Sequence, residues 1–270
     1  MFKEYEKSVK LWHFENLSEF GNIVHFVSTR KGGYSAAPYD SFNLALSSGD
    51  NPLRVIQNRE LLASVLGFTA DSILTSWQAH GDRVRIITKQ SIESDASHQR
   101  IPKEAADAMI TNVPNICLMN LTADCAPVLC FDPEEKVIGI AHAGWRGTVK
   151  AVTANLINSF KEKLGCLPEN IIAGIGPSIG PCCYEVGPEV IEEVEKNLGE
   201  GLISEVSSDG KGYFDLREAN RRQLIETGVS EKNIEIADKC THCYPDLFFS
   251  YRHHGKKSGR IGAGIMLRSL

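Results

Sequence analysis

The feature that most constrains this chain is a pair of apolar runs, at positions 126–131 and 137–141, joined by one short polar segment. The segment between them begins Asp132-Pro133-Glu134-Glu135 and ends at Lys136. Two apolar runs around so short a polar turn indicate two strands that fold back on each other. The sequence therefore predicts a buried antiparallel β-hairpin near the middle of the chain.

The position of the turn determines which residues of the hairpin face each other. If the turn is centred between Pro133 and Glu134, Cys125 lies directly opposite His142. Opposed residues point to the same face with Cβ atoms about 4.5–5.5 Å apart, a separation at which a thiolate and an imidazole can bind one metal ion. A slip of one residue would put the two side chains on opposite faces.

A third ligand is expected from His80, which follows a predicted strand and precedes a glycine that permits a sharp turn. Two imidazoles and one thiolate suit zinc, and a site with three protein ligands leaves the fourth position open, as catalytic zinc requires. Copper is the less favoured alternative, since it accepts the same ligands in a trigonal arrangement. Each residue alone also fits a structural reading, with Cys125 in the core and both histidines bound to backbone.

The remaining patterns predict many strands and a few long helices. Helices are predicted at 52–66, 147–164, 188–198 and 216–227. Besides the hairpin, strands are predicted at 23–27, 73–77, 84–88, 108–111, 116–121, 171–175, 234–237, 248–251 and 261–267. Because strand often follows strand through a short turn, the pattern favours an α+β fold.

Composition restricts the classes of function and location. The formal net charge of the 270 residues is −5, which argues against nucleic acid as a partner and favours a small molecule. We find neither a signal peptide nor a membrane span, and expect a cytoplasmic monomer. The eight cysteines are therefore expected to stay reduced. The polar segment 91–104 is predicted to be a disordered loop.

Three segments around the predicted ligands resemble the YfiH-like family of laccase-domain purine nucleoside phosphorylases, formerly described as multicopper polyphenol oxidases. They are Ser76-Trp77-Gln78-Ala79-His80-Gly81, Ala123-Asp124-Cys125-Ala126-Pro127-Val128 and His142-Ala143-Gly144-Trp145-Arg146-Gly147-Thr148. The resemblance continues through shorter motifs at 28–35, 43–44, 106–109, 176–186 and 249–252. It thus extends over almost the whole chain.

The resemblance implies a single domain over residues 1–270, built from two related halves in a four-layer α/β/β/α arrangement. It implies zinc on the catalytic residues His80, Cys125 and His142, which are also the ligands chosen from the hairpin. The implied reactions are phosphorolysis of adenosine, guanosine, inosine and methylthioadenosine to the base and ribose 1-phosphate, and deamination of adenosine. The segment Arg252-His253-His254 departs from the family pattern, so no role is carried over to it.

Five residues are candidates for binding substrate or phosphate. Arg30 in a Gly-rich turn and Arg146 at a predicted helix start are the phosphate candidates. Asp124 is expected to orient a ligand histidine or carry a proton, with a turn-forming role as its alternative. Gln78 can read a purine edge or satisfy a backbone group, and Asn43 is included because it lies in a family motif.

The sequence leaves open the role of four cysteines and three alternative functions. We expect packing roles for Cys182, Cys183, Cys240 and Cys243, with a second zinc site as the alternative, because vicinal cysteines fit one tetrahedral ion poorly. A copper oxidase is disfavoured because one cluster has too few ligands for several copper centres. A cysteine hydrolase, with Cys125 as nucleophile, and a binding protein without catalysis remain alternatives.

Overall fold

The computed structural model describes residues 1–94 and 104–269, in which strands and helices alternate irregularly. The strands are β1 Phe2–Glu4, β2 Lys10–Trp12, β3 Ile23–Ser28, β4 Ile73–Leu74, β5 Val84–Ile87, β6 Ala108–Thr111, β7 Cys117–Thr122, β8 Ala126–Asp132, β9 Val137–Ala143, β10 Ile172–Ile175, β11 Glu185–Val186, β12 Ile203–Ser204, β13 Gly212–Phe214, β14 Ile234–Ile236 and β15 Ile261–Leu267. The helices are α1 Glu15–Ser18, α2 Pro52–Leu66, α3 Lys89–Ser94, α4 Trp145–Val149, α5 Val152–Leu164, α6 Pro188–Leu198, α7 Leu216–Glu226 and α8 Tyr251–His254. The predicted α+β class is confirmed.

The described strands form two six-stranded sheets and one small sheet. The first sheet has the order β1-β2-β3-β15-β7-β4, the second β14-β10-β8-β9-β6-β5, and the small sheet β11-β13-β12. Most neighbours are antiparallel, whereas β4/β7, β5/β6 and β10/β14 are parallel. The hairpin β8/β9 therefore lies in the middle of the second sheet.

Three apolar clusters define the order of the layers. One cluster lies between the two large sheets, where Val27 and Ile265 of the first sheet pack with Leu129 and Ile140 of the second. A second cluster packs the outer face of the second sheet against α5 and α7, and a third packs the first sheet against α2. This burial on both faces of each sheet produces an α/β/β/α arrangement. The relation between two halves stays a prediction.

The register of the hairpin differs from the predicted one by two residues. Asp132 pairs with Val137, and Pro127 rather than Cys125 lies opposite His142. The turn lies one position later than predicted, at 133–136, with Lys136 in the left-handed region at φ 54°. The Asp132 carboxylate accepts the backbone N–H groups of Glu134 and Glu135. Because the shift is two residues, Cys125 and His142 still belong to the same face.

Other sequence predictions also require correction. The predicted helix 147–164 is two helices, α4 and α5, since Ala151 at φ 63° interrupts it. The predicted strand 248–251 is wrong: its first three residues are buried in a loop that leads into α8. In the predicted loop 91–104, residues 91–94 belong to α3, whereas residues 95–103 lie outside the described part of the chain. None of the helices described has both the length and the hydropathy to cross a membrane.

Candidate metal centre and substrate cavity

The structure brings the three predicted ligands together. His142 is in β9, Cys125 directly precedes β8, and His80 lies in the turn between β4 and β5. One ligand atom from each residue lies within 4.8 Å of the other two. The two imidazole rings are 4.9 Å apart between centroids and nearly perpendicular, at 73°. This arrangement directs two nitrogens and one sulfur at a common point.

Asp107 supports both histidines of this cluster. Its carboxylate accepts a hydrogen bond from His142 Nδ1 at 2.8 Å, which leaves Nε2 for the common point. The same carboxylate accepts the backbone N–H groups of Ala79, His80 and Gly81 at 3.1, 3.0 and 2.7 Å. These bonds hold His80 in its left-handed conformation at φ 58°. Asp107 is 1% exposed, so solvent does not compete for it.

Sequence reasoning missed Asp107 in this role and named Asp124 instead. The available signal was an acidic residue directly before the apolar run of β6, a position in which aspartate often only forms a turn. Its function depends on the pairing of β6 with β9, which places Asp107 beside His142. A single sequence does not reveal that pairing.

Gly144 leaves the space that the ligands occupy. In the observed register it lies opposite Cys125, one position beyond the paired strands. A Cβ atom at Gly144 would lie 2.9 Å from Cys125 Sγ and 2.9 Å from His80 Cδ2, closer than real Cβ contacts come. The backbone of Gly144 is extended, with φ −79°. The glycine is therefore required by the close approach of two ligands, not by its backbone conformation.

The cluster is electrostatically coupled. Burial alone would raise the pKa of the Cys125 thiol, but the charge of His142 and hydrogen bonds from His142 and His80 lower that pKa to about 6. Burial alone would lower the pKa of His142, but the Cys125 thiolate and Asp107 raise it to about 9. Without a metal ion, the pair is therefore a thiolate and an imidazolium near neutral pH. A cation that replaces the imidazolium proton meets a preformed thiolate.

A cavity of about 910 Å³ opens beside the cluster. This volume is within the range of small-molecule sites. Its walls contain the three ligands, Trp145, Tyr184 and four arginines, which are Arg59, Arg146, Arg252 and Arg260. A site with a metal-binding cluster and several guanidinium groups suits an anionic substrate with an aromatic part.

Arg146 and Arg252 are the exposed arginines of the cavity wall, and Arg146 is the one placed most clearly for a ligand. The Arg146 guanidinium lies 4.3 Å from the Trp145 ring, and Arg146 is exposed. Helix α4, which follows Gly144, is only five residues long, so its dipole adds little to this charge. Arg252 lies over the Tyr184 ring, at 5.4 Å, and donates to the carbonyls of Cys183 and Glu185.

Two of the tentative substrate residues do not line the cavity. The Arg30 guanidinium donates to the Asp40 and Pro245 carbonyls, pairs with the Asp40 carboxylate and contacts His254. The buried Asn43 binds Ser48 and Asp50, and accepts the backbone N–H of Arg260. The structure thus gives Arg30 and Asn43 positioning roles. A glycine-rich turn alone does not show that Arg30 points away from the site.

Gln78 and Asp124 line the cavity, but neighbouring groups occupy their polar atoms. Gln78 donates to and accepts from the backbone of Leu121, at 2.8 and 2.9 Å. Asp124 accepts the hydroxyl of Thr241 at 2.6 Å and the backbone N–H of Arg252 at 2.7 Å. Both side chains therefore hold the cavity wall together. Asp124 does not bind a ligand histidine, which corrects its predicted orienting role.

Known proteins of the same fold resemble this chain over nearly its full length. The sequence profile of a family described as multi-copper polyphenol oxidoreductase laccase matches residues 24–268. A purine nucleoside phosphorylase of Bacteroides thetaiotaomicron is 37% identical over 263 residues, which are 97% of each chain. The adenosine deaminase RL5 of an unknown prokaryotic organism is 35% identical, with 90% of this chain and 93% of that protein covered. The crystal structure of YlmD from Geobacillus stearothermophilus superposes with a TM-score of 0.90 at 31% identity, and covers 99% of both chains.

Proposed function

This chain belongs to the multi-copper polyphenol oxidoreductase laccase family, whose relatives include YfiH and YlmD proteins, and on that premise we propose that it is a zinc-dependent purine nucleoside phosphorylase that also deaminates adenosine. The chain is an enzyme, as its relatives named phosphorylase and deaminase are. The observation that carries the proposal is a His/Cys/His cluster at the wall of an arginine-lined cavity of about 910 Å³. The proposed substrates are adenosine, guanosine, inosine and methylthioadenosine with phosphate.

The donor set supports zinc as the metal ion. His80, Cys125 and His142 supply two nitrogens and one sulfur, and Asp107 supplies the carboxylate that fixes the histidine tautomer in many zinc sites. Three protein ligands leave one coordination position towards the cavity. The family description mentions several coppers. Among the described residues, the second cluster of metal-binding side chains contains only cysteines, which does not suit a group of copper ions bound by histidines.

The residues of the chain have distinct parts in the two reactions. When bound, zinc supplies a Lewis acid that activates water for deamination and stabilises charge on a departing purine. Arg146 holds phosphate by charge-assisted hydrogen bonds, and Arg252, whose guanidinium donates to two backbone carbonyls, adds positive charge beside it. A phosphate oxygen then bonds to the anomeric carbon as the glycosidic bond breaks, and the base leaves with the bonding electrons and takes up a proton. Tyr184 and Trp145 provide apolar surface for the base.

A second candidate is a cysteine hydrolase, which one specific observation favours. Cys125, His142 and Asp107 form a chain of thiolate, imidazolium and carboxylate, with the pKa of Cys125 lowered to about 6. A thiolate activated by a histidine that an acid orients is the usual nucleophile of such enzymes. In that mechanism Cys125 reacts covalently, and metal bound to it would inhibit the reaction.

The decisive experiment identifies the products formed from adenosine with and without phosphate. We expect adenine and ribose 1-phosphate only when phosphate is present, and inosine under both conditions. Cys125→Ala should lose the zinc ion bound by His80, Cys125 and His142, and with it both activities, while it stays folded. Cys130→Ala, which removes a buried thiol from the same hairpin, is the matched control and should retain them. If free ribose forms without phosphate, the reaction is hydrolysis of the nucleoside and the phosphorylase proposal is wrong. Activity that rises when zinc is removed would favour the cysteine hydrolase.

We also propose that this enzyme works in the cytoplasm. Its proposed ligand Cys125 must remain a thiolate, and all eight cysteines are unpaired in the structure. A reducing compartment keeps thiols in that state. Immunoblotting of cytoplasmic and membrane fractions of the source cells tests this placement.

A further inference from the structure

Four cysteines far from the proposed catalytic metal ligands in sequence meet at one point. Cys182 and Cys183 follow β10, and Cys240 and Cys243 follow β14. Strands β10 and β14 are parallel neighbours, so their carboxyl ends lie side by side and the two cysteine segments start close together. All four sulfur atoms lie within 4.8 Å of one another. Cys243 Sγ is 3.6 Å from Cys182 Sγ and 3.3 Å from Cys183 Sγ.

These distances are close to those of a tetrahedral metal thiolate site. With zinc–sulfur bonds of about 2.3 Å, sulfur atoms at tetrahedral angles are about 3.8 Å apart. The segment Cys240-Thr241-His242-Cys243 has the two-residue spacing common in structural zinc sites. Backbone N–H groups of Gly180 and Cys243 point at Cys240 Sγ, the former at 3.2 Å. Such N–H donors stabilise a thiolate ligand.

Packing does not account for this cluster. Cys182 and Cys243 are exposed, and Cys183 is partly exposed, whereas a cysteine with a packing role is normally buried. The expectation of packing roles is therefore wrong for these three residues. The objection that vicinal cysteines fit one ion poorly is met by the turn at 180–184, which presents both sulfur atoms to Cys243.

We propose that Cys182, Cys183, Cys240 and Cys243 bind a second zinc ion, which is structural. Four thiolates complete the tetrahedron, so no position remains for water or substrate. The ion cross-links the segment after β10 to the segment after β14. This inference stands on the cysteine cluster alone and is independent of the proposed reactions.

The cross-link fixes one wall of the substrate cavity. Thr241, inside the cysteine segment, donates to Asp124 at 2.6 Å, and its backbone N–H donates to the Ser178 carbonyl at 3.0 Å. The backbone N–H of Ile179 in turn donates to the Asp124 carbonyl. Asp124 directly precedes Cys125 and holds the backbone of Arg252. The cysteine cluster is thus connected to the first site through two residues, Thr241 and Asp124.

Metal content of the full chain, purified under reducing conditions without chelators, tests the proposal. We expect about two zinc ions per chain in the wild type, about one in Cys243→Ser, about one in Cys125→Ala and almost none in the double variant. His242→Ala is the matched control, because it removes a side chain of a metal-binding type from the same segment. The ring of His242 packs on His253 and does not belong to the cysteine cluster. That control should keep both ions.

Cobalt substitution gives a readout that does not depend on activity or on the folding of Cys243→Ser. In the Cys125→Ala background, cobalt should show the intense visible bands and thiolate charge-transfer absorption of a tetrathiolate site. A zinc-free Cys125→Ala protein, or a Cys243→Ser protein that keeps both ions, overturns the proposal. One ion in both the wild type and Cys125→Ala would support the cysteine site and refute the catalytic zinc instead.

Discussion

Gly144→Ala tests whether the space between two ligands is what permits metal binding. The added methyl group would lie 2.9 Å from both Cys125 Sγ and His80 Cδ2. Ordinary contacts of this kind are at about 3.5–4.0 Å, so at least one ligand must move by about 0.6 Å or more. Metal–ligand distances in protein sites normally lie within about 0.2 Å of their standard values. A displacement of about 0.6 Å is about three times that range.

The expected loss follows from these displacements. Changes to groups that merely support a ligand weaken metal binding about 10- to 100-fold, and Gly144→Ala displaces a ligand itself. We expect zinc affinity at this site to fall by about 100-fold or more, which corresponds to about 2.8 kcal/mol. The fold should persist, because alanine accepts the extended backbone of Gly144 and the crowding costs about 1–3 kcal/mol.

Gly81→Ala provides the matched control in the same site. A Cβ atom there meets only Asp107 Oδ2, at an ordinary 3.5 Å, and the backbone N–H that binds Asp107 is retained. Competition with a chromogenic chelator measures zinc affinity, and thermal unfolding monitors the fold. Wild-type zinc affinity in Gly144→Ala, or an equal loss in Gly81→Ala, would refute the steric argument.

Three further predictions concern other parts of the molecule. Asp107→Asn should weaken zinc binding about 10- to 100-fold, because an amide cannot accept all the hydrogen bonds of the carboxylate; Asp82→Asn, on the neighbouring surface, should not. Arg146→Ala should slow phosphate-dependent adenine release about 10- to 100-fold, because a charge-assisted contact to phosphate worth about 1.5–3 kcal/mol is lost. Inosine formation should be retained. Arg30→Ala should leave the ratio of adenine to inosine unchanged, because Arg30 does not line the cavity. Burial lowers the pKa of His25 to about 3, so the folded protein keeps this histidine neutral while the unfolded chain protonates it below about pH 6.5. The free energy of unfolding should therefore fall as the pH is lowered from 6.5 towards 3, by about 2 kcal/mol at pH 5. Urea unfolding of His25→Gln at pH 7 and 5 should show a smaller decrease than the wild type, and an equal decrease would contradict the assignment.

The ligands of the candidate metal centre were predictable because their geometry is local. Cys125 and His142 belong to one hairpin, and the face of each side chain depends only on whether the register shift is odd or even. The register itself was wrong by two residues, since the turn reaches to Lys136. The helix α2 was predicted to the residue, because Asn51 caps it and Pro52 starts it.

The features that were missed depend on contacts between distant segments. Asp107 reaches His142 through the pairing of β6 with β9, 35 residues apart. The cysteine cluster depends on the parallel pairing of β10 with β14, which brings residues 60 positions apart together. Arg30 was misplaced because a positive charge beside glycines does not show which way the side chain turns. Such contacts have no local pattern from which to predict them.

The three ligands differ in how far solvent reaches them. Asp107 holds the ring of the buried His142, but it holds only the backbone of His80, whose side chain is exposed. Cys125 is partly exposed. His142 is therefore the fixed ligand of the cluster, and a metal ion that enters or leaves would exchange its bonds to His80 and Cys125 on the solvent side.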